Sequence, residues 1–459
     1  MATSDPHDTL PPTLRRSYDF IAIGGGTAGL VSAFGAAGLG ARVALVERDR
    51  LGGDCLNVGC VPSKALLRSA RAVRDVRTAS AVGVAAAEPR ADFRAVMARL
   101  RERRAVLAPN DSEERLRGAG IDVFFGSAAF DGPRTIVVNG QALTFRRAVI
   151  ATGGRPVAPP IPGLADAGYV TNETVFDLSE QPRRMLVIGA GAIGCELAQA
   201  FTLLGTRVTV TDIVDRPLPH EDPDASAIVK RSLESDGVEF DLGRALPHVS
   251  RRDADTILVA AGRAPTVEGL NLESAGIVFD AHGVSVTDRL QTTNPRVFAA
   301  GDVASRLKFT HAADAAARIV VQNALFFGRR RASQLVVPWC TYTLPEVARV
   351  GDIDGAAVTV PMADVDRAVL ENETVGFVRV HHERGRVRGC TIVAPHAGDL
   401  IGHVAALMRA RGSLSDLSAT IFPYPTYSEA LRKAGDAYRR SLLTPRLKSL
   451  LERYFRLFA

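Results

Sequence analysis

Cysteine is scarce in this chain, five among 459 residues, and an odd number cannot all pair. No apolar run approaches the length of about twenty residues that a membrane span needs. The start, Met1 to Arg16, holds prolines, acids and arginines but no apolar core, so no secretory signal is expected there and residues 1–17 are expected to form a flexible tail. Without export the protein is expected in the cytoplasm, where a disulfide is more often catalytic than structural. Aromatic residues are missing from the basic clusters Arg101-Glu102-Arg103-Arg104 and Arg329-Arg330-Arg331. The net charge of +6 therefore reads as solvated helix faces, and no nucleic-acid partner is expected.

What the chain does have is glycine and length. One tryptophan, 41 glycines and 46% hydrophobic residues fit an α/β protein rich in tight turns, long enough for roughly three domains. Two of the cysteines lie together in Gly52-Gly53-Asp54-Cys55-Leu56-Asn57-Val58-Gly59-Cys60-Val61-Pro62-Ser63-Lys64. Four residues between thiols let them bridge across a loop, and Pro62 suits the first turn of a helix. A thiol at that helix start meets a positive dipole end that favours its thiolate. A structural disulfide or a metal pair would use the same residues; the glycines, the proline and Lys64 favour a redox pair. Cys195, Cys340 and Cys390 stand alone in apolar surroundings and read as buried small hydrophobes.

The glycines recur with a register. Tyr18 to Ile23 is an apolar strand running into Gly24-Gly25-Gly26-Thr27-Ala28-Gly29, a small-residue helix and a second strand ending at Glu47. Arg184 to Ile188 runs into Gly189-Ala190-Gly191-Ala192-Ile193-Gly194, and Arg207 to Thr211 ends at Asp212. First glycine to acid is 23 positions in both units (24 to 47, 189 to 212). Gly24 and Gly189 permit the turn, Gly26 and Gly191 admit a pyrophosphate, Gly29 and Gly194 let helix meet strand, and the acid takes the ribose. Two fingerprints in one register mean two dinucleotide sites.

Together these motifs resemble those of the FAD-dependent pyridine nucleotide–disulfide oxidoreductases, the family of dihydrolipoamide dehydrogenase, glutathione reductase and mercuric reductase. The resemblance runs from about Tyr18 onward. It implies an α/β protein with two Rossmann-like dinucleotide-binding domains, the second inserted in the first, and an α+β carboxyl-terminal dimerisation domain. The expected boundaries are 18–160 and 285–332 for the FAD domain, 161–284 for the NAD(P)H domain and 333–459 for the homodimer interface. The redox cysteines follow the first unit directly, so that unit takes FAD and the second the nicotinamide. Ala148 to Gly154, with Thr152 and Gly153, resembles the crossing between the two domains, and Gly53 joins the FAD set. Val297 to Asp302 resembles the second FAD motif, with Asp302 on the ribityl chain. Gly262 and Arg263 repeat the strand-turn form on the NAD side. Asp212 occupies the place of a 2′-phosphate, which favours NADH over NADPH; Arg207 and Arg216 flank it and moderate that preference. Between Gly237 and Asp255 a β-meander usual in relatives is trimmed to one or two short strands at most.

The resemblance also assigns chemistry. Cys60 becomes the flavin-side thiol and Cys55 the exposed interchange thiol. Lys64, one helical turn beyond Cys60, is expected to pair with Glu196 beside the flavin, and His311 is expected to be structural. Where disulfide reductases of the family carry a catalytic histidine, this chain has Tyr424, with Glu429 keeping the place of the acid that follows it; both would serve the partner subunit's Cys55. A phenol near pKa 10 is a poor proton shuttle at neutral pH. Mercuric reductases also carry tyrosine there, which points to a metal ion as acceptor, with Cys55 and Cys60 as its transient ligands and no structural metal. Against it, the chain has no carboxyl-terminal cysteine pair to deliver the ion. A small disulfide or a quinone is the other acceptor, a dihydrolipoamide-dehydrogenase-type disulfide reductase the alternative enzyme, and a non-enzymatic NADH-sensing flavoprotein the third reading. The basic amphipathic end, Asp436 to Ala459, is expected to pack on the dimer, with contact to a membrane surface the lesser reading.

Overall fold

The structure, a computed structural model, describes residues 16–326 and 328–457. The expected tail lies outside these residues up to position 15; Arg16 and Ser17 already belong to the first strand. The first domain opens with β1 (Arg16–Ile23), α1 (Thr27–Gly38) and β2 (Val43–Glu47). Then come α2 (Gly53–Asn57), α3 (Cys60–Thr78), α4 (Phe93–Leu107), α5 (Glu113–Gly118) and the strands β3 (Ile121–Phe125), β4 (Ala128–Phe130), β5 (Thr135–Val138) and β6 (Gln141–Ile150). β1 pairs in parallel with β2 and β6, and β2 with β3. The strand residues of β1 and β2 are almost continuously buried, as a sheet covered on both faces requires.

The chain leaves this domain through β7 (Gly154–Pro156) and a short α6 (Leu164–Ala167). The second unit is β8 (Arg184–Ile188), α7 (Ala192–Leu203), β9 (Arg207–Asp212), α8 (Pro223–Asp236), β10 (Glu239–Leu242) and β11 (Thr256–Val259). Its parallel sheet has the order β10-β9-β8-β11, and β10 is the one short strand between Gly237 and Asp255, within the one or two expected. The chain returns through β12 (Arg263–Pro265), which pairs antiparallel with β7, so exit and entry are stitched together. From there Leu270, Leu272, Ala275 and Ile277 bury themselves against Tyr18, Ile21 and Phe130 of the first sheet. The return therefore comes about twenty residues before the expected boundary at 284, because this apolar run has the first sheet's open face to cover.

β13 (Phe279–Asp280) and β14 (Gly283–Val284) form a small hairpin, and β15 (Val297–Ala299) joins the first sheet beside β6. α9 (Thr310–Leu325) follows and packs on α1. The last domain has β16 (Pro338–Thr341), β17 (Glu346–Gly351), β18 (Ala357–Pro361), α10 (Asp366–Leu370), β19 (Phe377–Glu383) and β20 (Arg386–Ala394). They form one antiparallel sheet, β16-β17-β20-β19-β18. α11 (Ala397–Arg409), α12 (Leu414–Ala419) and α13 (Glu429–Ser441) bury Leu400, Leu417 and Leu431 in the same core. α14 (Pro445–Leu457) is amphipathic as expected but buries none of its side chains in this single chain. No helix among the described residues is long and apolar enough to cross a membrane.

Candidate active site

The two glycine turns repeat down to individual hydrogen bonds. Gly24 (φ +111°) and Gly189 (φ +115°) both lie in the region that favours glycine, and each donates its N–H to the neighbouring strand, at Val46 and Thr211. A Cβ on Gly29 would stand 1.8 Å from the Gly24 carbonyl oxygen, and one on Gly194 1.9 Å from that of Gly189. The acids close the loops. Glu47 Oε2 accepts from the Gly25 N–H at 2.6 Å, and Asp212 Oδ2 from the Ala190 N–H at 2.7 Å.

Both turns suit a dinucleotide. The helices that begin after them, α1 and α7, have glycine caps and no side chain on their first-turn N–H groups, which leaves donors and a positive dipole end for a pyrophosphate. A Cβ on Gly26 would meet only Gly53 Cα at 3.6 Å, and one on Gly191 would meet nothing within 4 Å. The space lies where the ligand goes. Both turns open on one cavity of about 980 Å³, at the top of the range of about 300–1,000 Å³ for ligand sites. Gly53, Thr152, Gly153 and Asp302 border it on the FAD side, and Glu196 and Gly262 on the other. Gly53 (φ +54°) lies so close to Gly26 that a Cβ there would stand 2.6 Å from Gly26 Cα. Thr152 Oγ1 donates to the Thr266 carbonyl at 2.6 Å, holding the two crossing strands at the cavity wall.

Arg263 departs from expectation. Its guanidinium does not turn to the nicotinamide side but pairs with Asp54 and lies 3.5 Å from Asp302, both on the FAD side. β12 ends the insertion and feeds straight back into the first domain, so its first side chain faces that domain. Burial pushes the Asp302 carboxyl up, against the pull of Arg263. The Arg216 guanidinium donates to the carbonyls of Pro219 and Glu221. Arg207 begins β9, five residues and about 16 Å of strand from Asp212.

Cys55 sits on α2 and Cys60 begins α3, both as free thiols on the cavity wall. Cys60 stands at the tip of α3 and is exposed to the cavity, with Cys55 half-buried beside it. The two titrate as a pair. The Cys55 thiol donates toward Cys60 and pulls its pKa well down, aided by Thr310, whose Oγ1 lies 3.5 Å from Cys60 Sγ, and by Lys64. Cys55 moves up, first because its proton is held by Cys60 and then through burial. The reduced pair therefore keeps one proton on Cys55 and a thiolate on Cys60.

Lys64 Nζ lies 2.8 Å from Glu196 Oε2, whose other oxygen accepts from the Tyr342 N–H at 2.9 Å. The ammonium also sits 4.4 Å over the Tyr342 ring. This pair ties α3 to α7 and to Tyr342, the residue that follows β16, so that all three domains meet here. His311 stacks on Phe309 and its Nε2 lies 2.5 Å from the Pro338 carbonyl, a structural contact. Cys340 is not simply core: it is half-buried and borders the cavity beside Tyr342, with burial holding its thiol protonated.

Tyr424 and Glu429 do not border their own chain's cavity. Tyr424 is 70% exposed and donates to Asp366 Oδ2 at 2.9 Å, which pushes its pKa up. Glu429, expected to act with it, is buried and paired with Arg432 and Lys433 at 3.2 and 3.4 Å. Among the described residues no group of three or more His, Cys, Asp or Glu could hold a metal ion. Thr310, Asp366 and Lys433 were not anticipated, since each acts across distant stretches of chain.

Comparison with known proteins agrees with this geometry. The profile of the pyridine nucleotide-disulphide oxidoreductases matches residues 18–317, and that of their dimerisation domain residues 337–435. The mercuric reductase of Staphylococcus aureus is 34% identical over 91% of this chain and 82% of its own. The dihydrolipoyl dehydrogenase of Thermus scotoductus is 33% identical over 93% of this chain and 99% of its own. Among solved structures, the Cu(II) complex of the HOCl-induced flavoprotein disulfide reductase RclA from Escherichia coli has a TM-score of 0.83 at 28% identity, covering 92% of this chain and 99% of that one. With both dinucleotide turns, the thiol pair between them and a carboxyl-terminal dimerisation domain, the chain belongs to the pyridine nucleotide–disulfide oxidoreductases, enzymes that use FAD and a nicotinamide nucleotide.

Proposed function

We propose that this enzyme passes the electrons of NADH through Cys55 and Cys60 to a thiophilic metal ion, Hg(II) or Cu(II). FAD, which the first turn with Gly26, Glu47 and Asp302 would hold, would supply the two-electron relay from nicotinamide to sulfur. The chain's own residues do the rest. Lys64, Thr310 and the start of α3 hold negative charge on Cys60, which prepares it to bind a soft cation. Cys55 carries the remaining proton and gives it up on binding the ion. As the family resemblance implies for a two-fold dimer, Tyr424 of one subunit serves the partner subunit's Cys55, a reading its exposure and its absence from its own cavity support.

Tyr424 carries the choice of acceptor. Reducing a disulfide takes one hydride and one added proton for the two thiols released. Reducing Hg(II) to the metal takes the hydride's two electrons and releases a proton, and two Cu(II) ions become Cu(I) on the same terms. Only the disulfide route needs an acid at the leaving sulfur. Tyr424 is a poor acid for that step near neutrality, because its hydroxyl hydrogen is given to Asp366, which raises its pKa further. Two relatives are named as mercuric reductases in Staphylococcus aureus and Bacillus cereus, and a structural neighbour is a Cu(II) complex. Disulfide reduction stays as the second reading, supported by the dihydrolipoyl dehydrogenases among the relatives.

NADH is the proposed donor, since Asp212, at the end of the second turn's strand, meets a 2′-phosphate with like charge. The test is a panel of acceptors under NADH and NADPH: Hg(II), Cu(II), lipoamide and a quinone. Faster turnover of a metal ion than of lipoamide, with NADH ahead of NADPH, is expected. Lipoamide turnover above that of both ions would overturn the metal reading.

A further inference from the structure

We propose that Asp366 is a positioning residue that turns Tyr424 from a proton donor into a lone-pair donor, and so sets the enzyme's preference for cations over disulfides. The inference rests on the metal-ion reading and deepens it. A carboxylate can only accept hydrogen bonds, so the 2.9 Å contact from Tyr424 Oη to Asp366 Oδ2 commits the single phenolic hydrogen to Asp366. What the oxygen then presents elsewhere is lone pairs. That surface attracts a cation and can accept a thiol proton, but it offers nothing to a leaving thiolate.

The surrounding charges hold this arrangement. Asp366 is the first residue of α10, and its second oxygen, Oδ1, lies 3.3 Å from Lys433 Nζ. Tyr424 and Lys433 together keep the Asp366 carboxyl below its ordinary range, so it remains an acceptor at neutral pH. Lys433 reaches back to Glu429 and to the Asp364 carbonyl. Glu429, in the place of the family's acid, is thereby held on α13 by Arg432 and Lys433, with no hydrogen bond to Tyr424. The phenol is oriented by an acid that comes from 58 positions upstream, on another element.

The experiment uses the FAD-loaded dimer of four proteins: wild type, Asp366→Ala, Tyr424→Phe and the double variant. Removing Asp366 frees the hydroxyl to donate. The ratio of lipoamide to Hg(II) turnover is expected to rise about tenfold in Asp366→Ala, less than the about hundredfold or more of a well-matched general acid because a phenol is a weak one. In the Tyr424→Phe background the same change should leave the ratio where Tyr424→Phe alone puts it. A difference titration of phenolate absorbance against Tyr424→Phe should show the Tyr424 pKa falling in Asp366→Ala. An unchanged ratio in Asp366→Ala, or an equal change with and without the phenol, overturns the proposal. If instead wild type reduces no metal ion, the acceptor reading fails, while the phenol titration and the lipoamide cycle still decide the role of Asp366.

Discussion

Thr310 reaches Cys60 from 250 positions away, and its hydroxyl is one of the groups that keep that sulfur ionised. Its removal has a definite sign. Cys60 has its pKa depressed by donors that favour the thiolate, so losing the Thr310 donor raises it and moves thiolate formation to higher pH. Thr310→Val should shift the ultraviolet thiolate titration of the reduced enzyme upward by about one unit or less, each unit being about 1.4 kcal/mol. A downward shift would contradict the assigned role. Lys64 pulls the same way but stands in a salt bridge with a buried carboxylate, so its loss would confound charge with an unpaired Glu196. Thr310 is the cleaner probe. Nothing in the local sequence marks it, because it earns its place through the tertiary approach of α9 to α3. Asp366 was illegible for the same reason.

The elements that read clearly from the sequence are those whose constraints are local. A strand, three glycines, a helix and an acid at 23 positions define both nucleotide turns, because contacts such as Gly29 against the Gly24 carbonyl are made within six residues. The direction of Arg263 and the early return of the chain at Leu270 depend on which surface lies opposite, and no spacing records that. The repeat allows a paired prediction. Gly26 and Gly191 have negative φ and room for a methyl group, so alanine at either should leave the fold intact. Gly26→Ala should purify depleted of FAD, whereas Gly191→Ala should retain FAD and show a several-fold higher KM for NADH. Both substitutions weakening the same cofactor would contradict the assignment of the turns. Gly29→Ala and Gly194→Ala are poorer probes, since a Cβ there would overlap backbone and destabilise the protein itself.

At the scale of the whole molecule, the proposed function divides the active site into two halves that do not meet within one chain. Cys55 and Cys60 border the shared cavity, while Tyr424 and Asp366 lie on the carboxyl-terminal domain, away from it. That separation suits the dimerisation domain recognised over residues 337–435. Mixing Cys55→Ser chains with Tyr424→Phe chains should restore metal-ion turnover, because each mixed dimer regains one intact site. Random reassortment predicts about a quarter of wild-type activity for a two-fold dimer. No recovery, with exchange of subunits confirmed, would place Tyr424 outside the partner's site.

The central claim is that nicotinamide electrons reach the Cys55–Cys60 pair by way of FAD. Anaerobic titration of the oxidised holoenzyme with NADH tests it most directly. Full reduction should consume one NADH for the flavin and a second for the disulfide in each subunit, with the second lost in Cys60→Ser. If wild type and Cys60→Ser saturate at the same equivalent, the thiols stand outside the electron path and the account is wrong.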